Sequence, residues 1–223
     1  MITICYISKD RPLFLEKSLS SMFKQSVLPE KIVIVDASKE KNHIDDIIEH
    51  FNNKKLINIE LVHSINGSRS KDRSLCRSYV KTDIMVSTEC DILYPKDLLK
   101  EVTHHFQANK DRIFLKTYIQ RQKQNGELED IRTKHRSGYF SAFYTKDFDA
   151  VGGYNPFLIG WGYEDADFQN RMLHIGCKEF YLPSIVTHMW HESQENEDTN
   201  QKNKLISQIT FWNGYQWCYP NEY

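Results

Sequence analysis

The sequence predicts an α/β fold, Rossmann-like, with a mixed and mainly parallel central sheet flanked by helices in a single domain. Three observations lead there. Short β-rich apolar runs alternate with amphipathic stretches through the first half. Acidic residues follow two of those runs directly, where ligands gather at the carboxyl ends of parallel strands. No repeat or linker divides the chain, and 223 residues with 40% hydrophobic content suffice for one substantial core.

In chain order, Ile2 to Ile7 reads as a strand, and Leu13 to Phe23 as a helix starting after Pro12, with Leu15, Leu19 and Met22 on one face. Lys31 to Val35 is the clearest buried strand, followed by a helix over Ile44 to Phe51 and a third strand over Ile57 to Val62. Asn66-Gly67-Ser68 is a turn, and Leu75, Cys76, Tyr79 and Val80 pattern a helix. Ile84 to Ser87 is a fourth strand. A helix from Pro95 to Phe106 and a strand from Arg112 to Ile119 follow. Residues 120 to 137 are polar enough for a loop or exposed hairpin. Tyr139 to Tyr144 resumes as a strand, Glu164 to Ile175 as a helix, and Ile185 to Thr187 is strand-like. Ser193 to Lys204 reads as a polar tail, and Leu205 to Trp217 as a helix packing back on the core.

Charge narrows the function classes. Twenty-nine basic residues against 30 acidic ones leave a net charge of −1, which offers no global field for nucleic acid or an anionic membrane, so any phosphate binding is local. The first apolar run gives way at once to Ser8-Lys9-Asp10-Arg11-Pro12, too soon for a secretory core or a membrane span. Five cysteines, Cys5, Cys76, Cys90, Cys177 and Cys218, lack CxxC spacing and suggest a reducing, cytoplasmic setting rather than a disulfide framework or zinc knuckle. Trp161, Trp190, Trp212 and Trp217 all fall in the last third; such rings serve cores more often than sugars.

Four places carry acids or imidazoles suited to chemistry. Asp36 ends the second strand, where a carboxylate can accept from a ribose hydroxyl or a base N–H, or simply cap the next turn. Glu89-Cys90-Asp91 puts two acids at i and i+2, pointing the same way on an extended segment, fit to share a divalent cation or only to face solvent. Trp161-Gly162-Tyr163-Glu164-Asp165-Ala166-Asp167 crowds three carboxylates into the first turn of a helix, a common stabilising choice, but behind a glycine- and aromatic-rich approach that a simple cap does not require. His188-Met189-Trp190-His191 supplies imidazoles that suit first-row metal ions or an ordinary surface or core.

In this order the segments resemble the GT-A glycosyltransferases, specifically the large inverting family two type whose C-terminal part is similar to the β-1,4-galactosyltransferases and bacterial chondroitin-type polymerases. The resemblance covers residues 1–192 and implies a nucleotide-binding half over 1–94, an acceptor-binding half over 95–192, and a C-terminal extension, 193–223, packing on the core. It implies that Asp36 contacts uridine. Arg73 and Arg77 match an Arg-x-x-x-Arg pattern that serves phosphate or structure. Glu89 and Asp91 match Asp-X-Asp, with Asp91 binding the metal, Glu89 facing ribose or sugar, and Glu departing from the usual Asp. Trp161-Gly162-Tyr163-Glu164-Asp165 matches Trp-Gly-x-Glu-Asp, its most specific motif; this makes Asp165 the base and gives Trp161, Gly162 and Glu164 to the sugars. His188 completes the metal site by position better than His191. Apart from the resemblance, Arg11 and the segment Trp190 to Glu197 are expected to close over the donor.

The implied activity is an inverting, metal-dependent transfer of a hexose or N-acetylhexosamine from a UDP-sugar to a glycan hydroxyl, with Mn2+ or Mg2+ as cofactor. The acceptor is lipid-linked or polysaccharide, the setting cytoplasmic, and any membrane association peripheral at the inner face. The competing readings are a nucleotide-sugar hydrolase or nucleotidyltransferase on the same metal, a non-catalytic carbohydrate-binding module, and a scaffold. A nucleotidyltransferase normally carries glycines that Ser8-Lys9-Asp10-Arg11-Pro12 lacks. A lectin has no reason to keep Asp36, Asp91, Asp165 and His188 in this order, and a scaffold predicts none of them.

Overall fold

The computed structural model describes residues 1–65, 68–132, 138–192 and 196–212. The turn expected at Asn66-Gly67, Trp217 and Cys218 lie outside them. One eight-stranded sheet runs β3-β2-β1-β4-β7-β6-β8-β5, comprising β1 (Ile2–Ser8), β2 (Lys31–Asp36), β3 (Asn58–His63), β4 (Ile84–Glu89), β5 (Ile92–Leu93), β6 (Ile113–Arg121), β7 (Phe140–Tyr144) and β8 (Lys178–His188). The first four strands are mutually parallel. β7 then enters antiparallel between β4 and β6, β8 lies parallel to β6, and β5 closes the edge antiparallel to β8. The mixed, mainly parallel α/β architecture is as expected.

The helices are α1 (Pro12–Met22), α2 (Asn42–Asn52), α3 (Arg69–Leu75), α4 (Leu98–Ala108), α5 (Thr145–Ala150), α6 (Glu164–His174) and α7 (Glu197–Trp212). Pro12 opens α1, where its missing N–H costs nothing, and Leu15, Leu19 and Met22 are fully buried. Ile4, Ile32, Ile34 and Val86 point to that side of the sheet. On the other side an aromatic cluster packs beneath α6: Tyr154 stacks on Phe168 at 4.3 Å, and Phe143, Phe148 and Phe114 surround them.

Several boundaries differ from the sequence reading. β8 begins at Lys178 rather than near Ile185, because Pro183 and Ser184 form an irregularity: Thr117 pairs with Leu182 and Tyr118 with Ile185. The helix expected around Leu75 to Val80 is α3 followed by a 3-10 turn over Cys76–Tyr79, and Val80 is already extended. β4 runs two residues further, to Glu89. In the polar 120–137 segment, Gln122 bridges Leu128 and Ile119 bridges Arg132, the start of an exposed hairpin; residues 133–137 lie outside the described set. α7 starts at Glu197, so most of the expected polar tail is helical. Among the described residues no helix is long and apolar enough to cross a membrane, and Cys5, Cys76, Cys90 and Cys177 are free and buried.

Candidate active site

β1, β2 and β4 end in register, with Ser8 beside Asp36 and Ile7 beside Glu89, so their carboxyl ends form one rim. Just past β4, Asp91 is held by backbone pairing: its carbonyl accepts from Met189 N at 2.9 Å, and Ile92 pairs with His188. That two-residue ladder carries Asp91 to the end of β8. His191 Nε2 lies 3.0 Å from Asp91 Oδ2, and His188 Nε2 lies 3.9 Å from Oδ1. Arg11, between β1 and α1, ion-pairs with Asp91 and stands 2.9 Å from His191 Nε2.

These three residues fit a divalent cation. Their ligand atoms lie within 4.8 Å of one another, and Asp91 Oδ1 is buried without a hydrogen-bond partner among the described residues. Carboxylate with imidazole suits manganese. Burial lowers the His188 pKa, which favours the neutral, ligating form. Burial by itself would raise the Asp91 pKa, but the hydrogen bond from His191 and the nearby His188 and Arg11 charges hold it below the ordinary value. The sequence ranked His188 above His191, but the fold brings both imidazoles to Asp91.

A cleft of about 220 Å³ lies over the rim between Ser8, Lys9, Glu89 and Asp91, and a larger one of about 550 Å³ adjoins it. Arg11, Arg69, Glu89, Asp91 and Trp161 line both. The larger cleft is lined by His188 and His191 and by Glu164, Asp165, Gly138 and Tyr139, with the Tyr139 ring edge-on to His188 at 5.3 Å.

Glu164 and Asp165 open α6. Tyr163, just before them, is a non-glycine residue in the left-handed region at φ 69°, after Gly160 at 71° and Gly162 at 102°. The three acids of this helix turn divide by direction. Asp167 faces inward to Arg171 at 2.7 Å and Ser207 Oγ at 2.6 Å, whereas Glu164 and Asp165 face the cleft. Asp165 packs against Gly138 so closely that a Cβ there would stand 2.4 Å from its Oδ2. Burial raises the Asp165 pKa to about 7; Arg73 opposes the rise, while Glu164 and Glu89 add to it.

Of the two roles open to Arg73 and Arg77, phosphate or structure, their surroundings favour structure. Arg73 is 2% exposed and donates to Glu89 Oε1 (2.9 Å), Ser87 Oγ (3.0 Å) and the Gly138 carbonyl (3.3 Å), with Asp165 Oδ1 at 3.6 Å and the Tyr154 ring below it. It supports the acids from inside and is too buried to meet a substrate. Arg77 pairs with Asp149 at 2.7 Å and donates to the Val80 carbonyl, away from both clefts. The arginine of this helix that reaches the clefts is Arg69, one turn earlier. It shares an α-helical face with Arg73, reaches Glu89 at 3.0 Å and Glu164 at 3.6 Å, and lines both clefts. Arg77 falls where the helix tightens to three residues per turn, so a four-residue step no longer returns to that face. The Arg-x-x-x-Arg spacing recurs at 69/73 and 73/77, and only the helix ending at Leu75 separates them.

Asp36 is 1% exposed and accepts from Ser38 Oγ (2.8 Å) and Ser38 N (3.1 Å), which is the turn-capping arrangement; it lines neither cleft. Glu89 Oε1 is engaged by both arginines, so the longer side chain in place of the usual Asp is spent on Arg69 and Arg73. Trp161 lines both clefts, Gly162 the larger one, and Trp190 is 37% exposed; the segment expected to close over the donor includes 193–195, outside the described residues. Gly138, Tyr139, Arg121 and Asn200 also line the larger cleft and were missed, since nothing in their local sequence marks them.

A family model described as the N-terminal domain of galactosyltransferase matches residues 129–193. A comparison with curated proteins finds no sequence match. Among solved structures, GalNAc-T7 with UDP, GalNAc and Mn2+ superposes with a TM-score of 0.75 at 15% identity, covering 95% of this chain and 48% of that one. S. aureus TarS 1-349 in complex with UDP-GlcNAc gives 0.75 at 14% identity, covering 95% and 66%. The Pyrobaculum calidifontis mannosyltransferase PcManGT with GDP-Man and Mn2+ gives 0.66 at 14% identity, covering 99% and 66%. This chain thus spans about half of the first and two thirds of the others. It has the GT-A glycosyltransferase fold.

Proposed function

We propose that this chain is a metal-dependent, inverting glycosyltransferase that moves a hexose or N-acetylhexosamine from a UDP-sugar to a hydroxyl of a glycan acceptor, giving a β-linkage. The observation that carries the reading is one cleft lined both by the Asp91, His188 and His191 group and by Asp165. On this reading residues 1–94 hold the nucleotide and 95–192 the acceptor. The four described cysteines, free and buried, suit a cytoplasmic setting, with lipid-linked acceptors met at the membrane face.

The smaller cleft would take the nucleotide, and Arg69 and Arg11 on its wall would meet the diphosphate. A divalent ion held by Asp91, His188 and His191 would, when bound, neutralise charge on the diphosphate and stabilise the departing UDP. Asp165 accepts the proton of the acceptor hydroxyl as that oxygen bonds to the anomeric carbon. The bond from that carbon to the phosphate oxygen breaks, and UDP leaves with the electron pair. Base and leaving group on opposite faces make one displacement and one inversion, as in inverting glycosidases. Arg73 holds Glu89 and faces Asp165, opposing the burial that would otherwise keep the base protonated. Trp161, at the junction of the clefts, offers an apolar face to a sugar ring.

The test is UDP release from a panel of UDP-sugars with Mn2+, with and without mixed glycan acceptors, for wild type and Asp165→Asn. Acceptor-stimulated release from one donor, lost in the variant with UDP binding intact, supports transfer. Release that ignores the acceptor points to a hydrolase, and the absence of metal-dependent UDP binding overturns the reading.

A further inference from the structure

The polarity of α7 is inverted. Asn203, Ser207 and Thr210 face the protein at 1%, 5% and 7% exposure, whereas Leu205 and Ile209 are each 59% exposed. A helix held mainly by hydrophobic burial would turn the other way. This one docks through hydrogen bonds: Ser207 Oγ donates to Asp167 Oδ1 at 2.6 Å, and Asn155 Nδ2 donates to Thr210 Oγ1 at 2.9 Å.

Asn203 is the end of that seam nearest the cleft. Its amide nitrogen donates to the Ile159 carbonyl at 3.0 Å and the Gly162 carbonyl at 2.8 Å, and its oxygen accepts from Ile159 N at 3.2 Å. The turn it grips is the left-handed one at Gly160, Gly162 and Tyr163, which has no strand ladder to satisfy its backbone. Helix and turn also touch directly. A Cβ on Gly160 would stand 2.9 Å from Thr199 Cγ2, and one on Gly162 would stand 2.7 Å from Asn200 Oδ1. Beyond Tyr163 the chain passes at once into Glu164 and Asp165.

We infer that Asn203 is a positioning residue for the transfer reaction: by clamping both ends of the Ile159–Gly162 turn it sets where Trp161 meets the cleft and where α6 presents Asp165. The inference rests on the function proposed above and adds a requirement to it, that α7 is part of the working site. The amide is suited to this because it donates twice and accepts once from a single buried side chain, which neither Ala nor Asp reproduces.

The experiment compares wild type, Asn203→Ala, Asn203→Asp and Ile209→Ser, the last on the outward face of the same helix. Amide hydrogen exchange is read over 158–166, beside UDP–Mn2+ affinity and the pH profile of transfer. Both Asn203 variants should speed exchange in the turn, leave UDP–Mn2+ affinity within about twofold, and slow transfer by about 10- to 100-fold. The acid limb should move to lower pH, since a loosened turn admits water to Asp165. Ile209→Ser should match wild type. Wild-type exchange and kinetics in both Asn203 variants, or equal damage from Ile209→Ser, would overturn the inference. If wild type transfers no sugar, the functional reading fails by itself, and the exchange comparison still decides whether Asn203 holds the turn.

Discussion

Asp36, Glu89 and Asp91 stand at or just past the ends of neighbouring strands, while Glu164 and Asp165 follow a turn that depends on left-handed backbone and on a helix from the far end of the chain. On the first side, position follows from register: Ser8 beside Asp36, Ile7 beside Glu89, Ile92 beside His188. On the second, position depends on the contacts of Gly138, Arg73 and Asn203, which are 27, 92 and 38 residues from Asp165 in sequence. A site set by a sheet tolerates changes in its surroundings, whereas a site set by a turn transmits them, because close packing leaves the acid no alternative place.

Substitutions can break that contrast. The largest effects should come from the acids of the two regions themselves. Asp165→Asn should lower kcat by about 10²- to 10⁴-fold with UDP–Mn2+ binding unchanged, and Asp91→Ala should abolish transfer together with metal-dependent UDP binding, measured by calorimetry with and without Mn2+. Loss of UDP binding in Asp165→Asn would erase the distinction between the two regions.

Gly138→Ala comes next. The new Cβ would lie 2.4 Å from Asp165 Oδ2, so the acid must shift, and kcat should fall by about 100-fold while UDP affinity holds. A smaller effect concerns pH. With Asp165 raised to about 7, kcat/KM should fall as pH drops through that value, and Glu164→Gln, which removes a charge that raises it, should move the acid limb lower. The same shift bears on stability. The protonated acid suits the fold, so its contribution is full below about pH 4 and is lost as pH rises through 7. Asp165→Asn should therefore be more stable than wild type at pH 8, by about 1–3 kcal/mol in urea titrations. The smallest expected change is Asp36→Ala, which loses two hydrogen bonds in one turn: about 1–2 kcal/mol of stability and a modest rise in donor KM.

The parallel half was legible in the sequence, because each strand there is a short apolar run whose period and punctuation are local, and contiguous motifs marked Asp91, Asp165 and His188, which the fold brings to one cleft. The sequence also marked Glu164 and Trp161, which the fold brings to the cleft. It did not determine β5, which is two residues long, or the start of β8, where Pro183 interrupts the pattern. It did not distinguish Arg69 from Arg77, since equal spacing carries no sign of where a helix tightens. Nor did it show that α7 turns its polar face inward, because a buried Asn203 reads as an exposed one until its partners at Ile159 and Gly162 are known. These features follow from long-range contacts alone. Hydrogen-bond partners of irregular backbone, and the direction a buried charge faces, depend on residues distant in sequence, and local propensity carries no information about them.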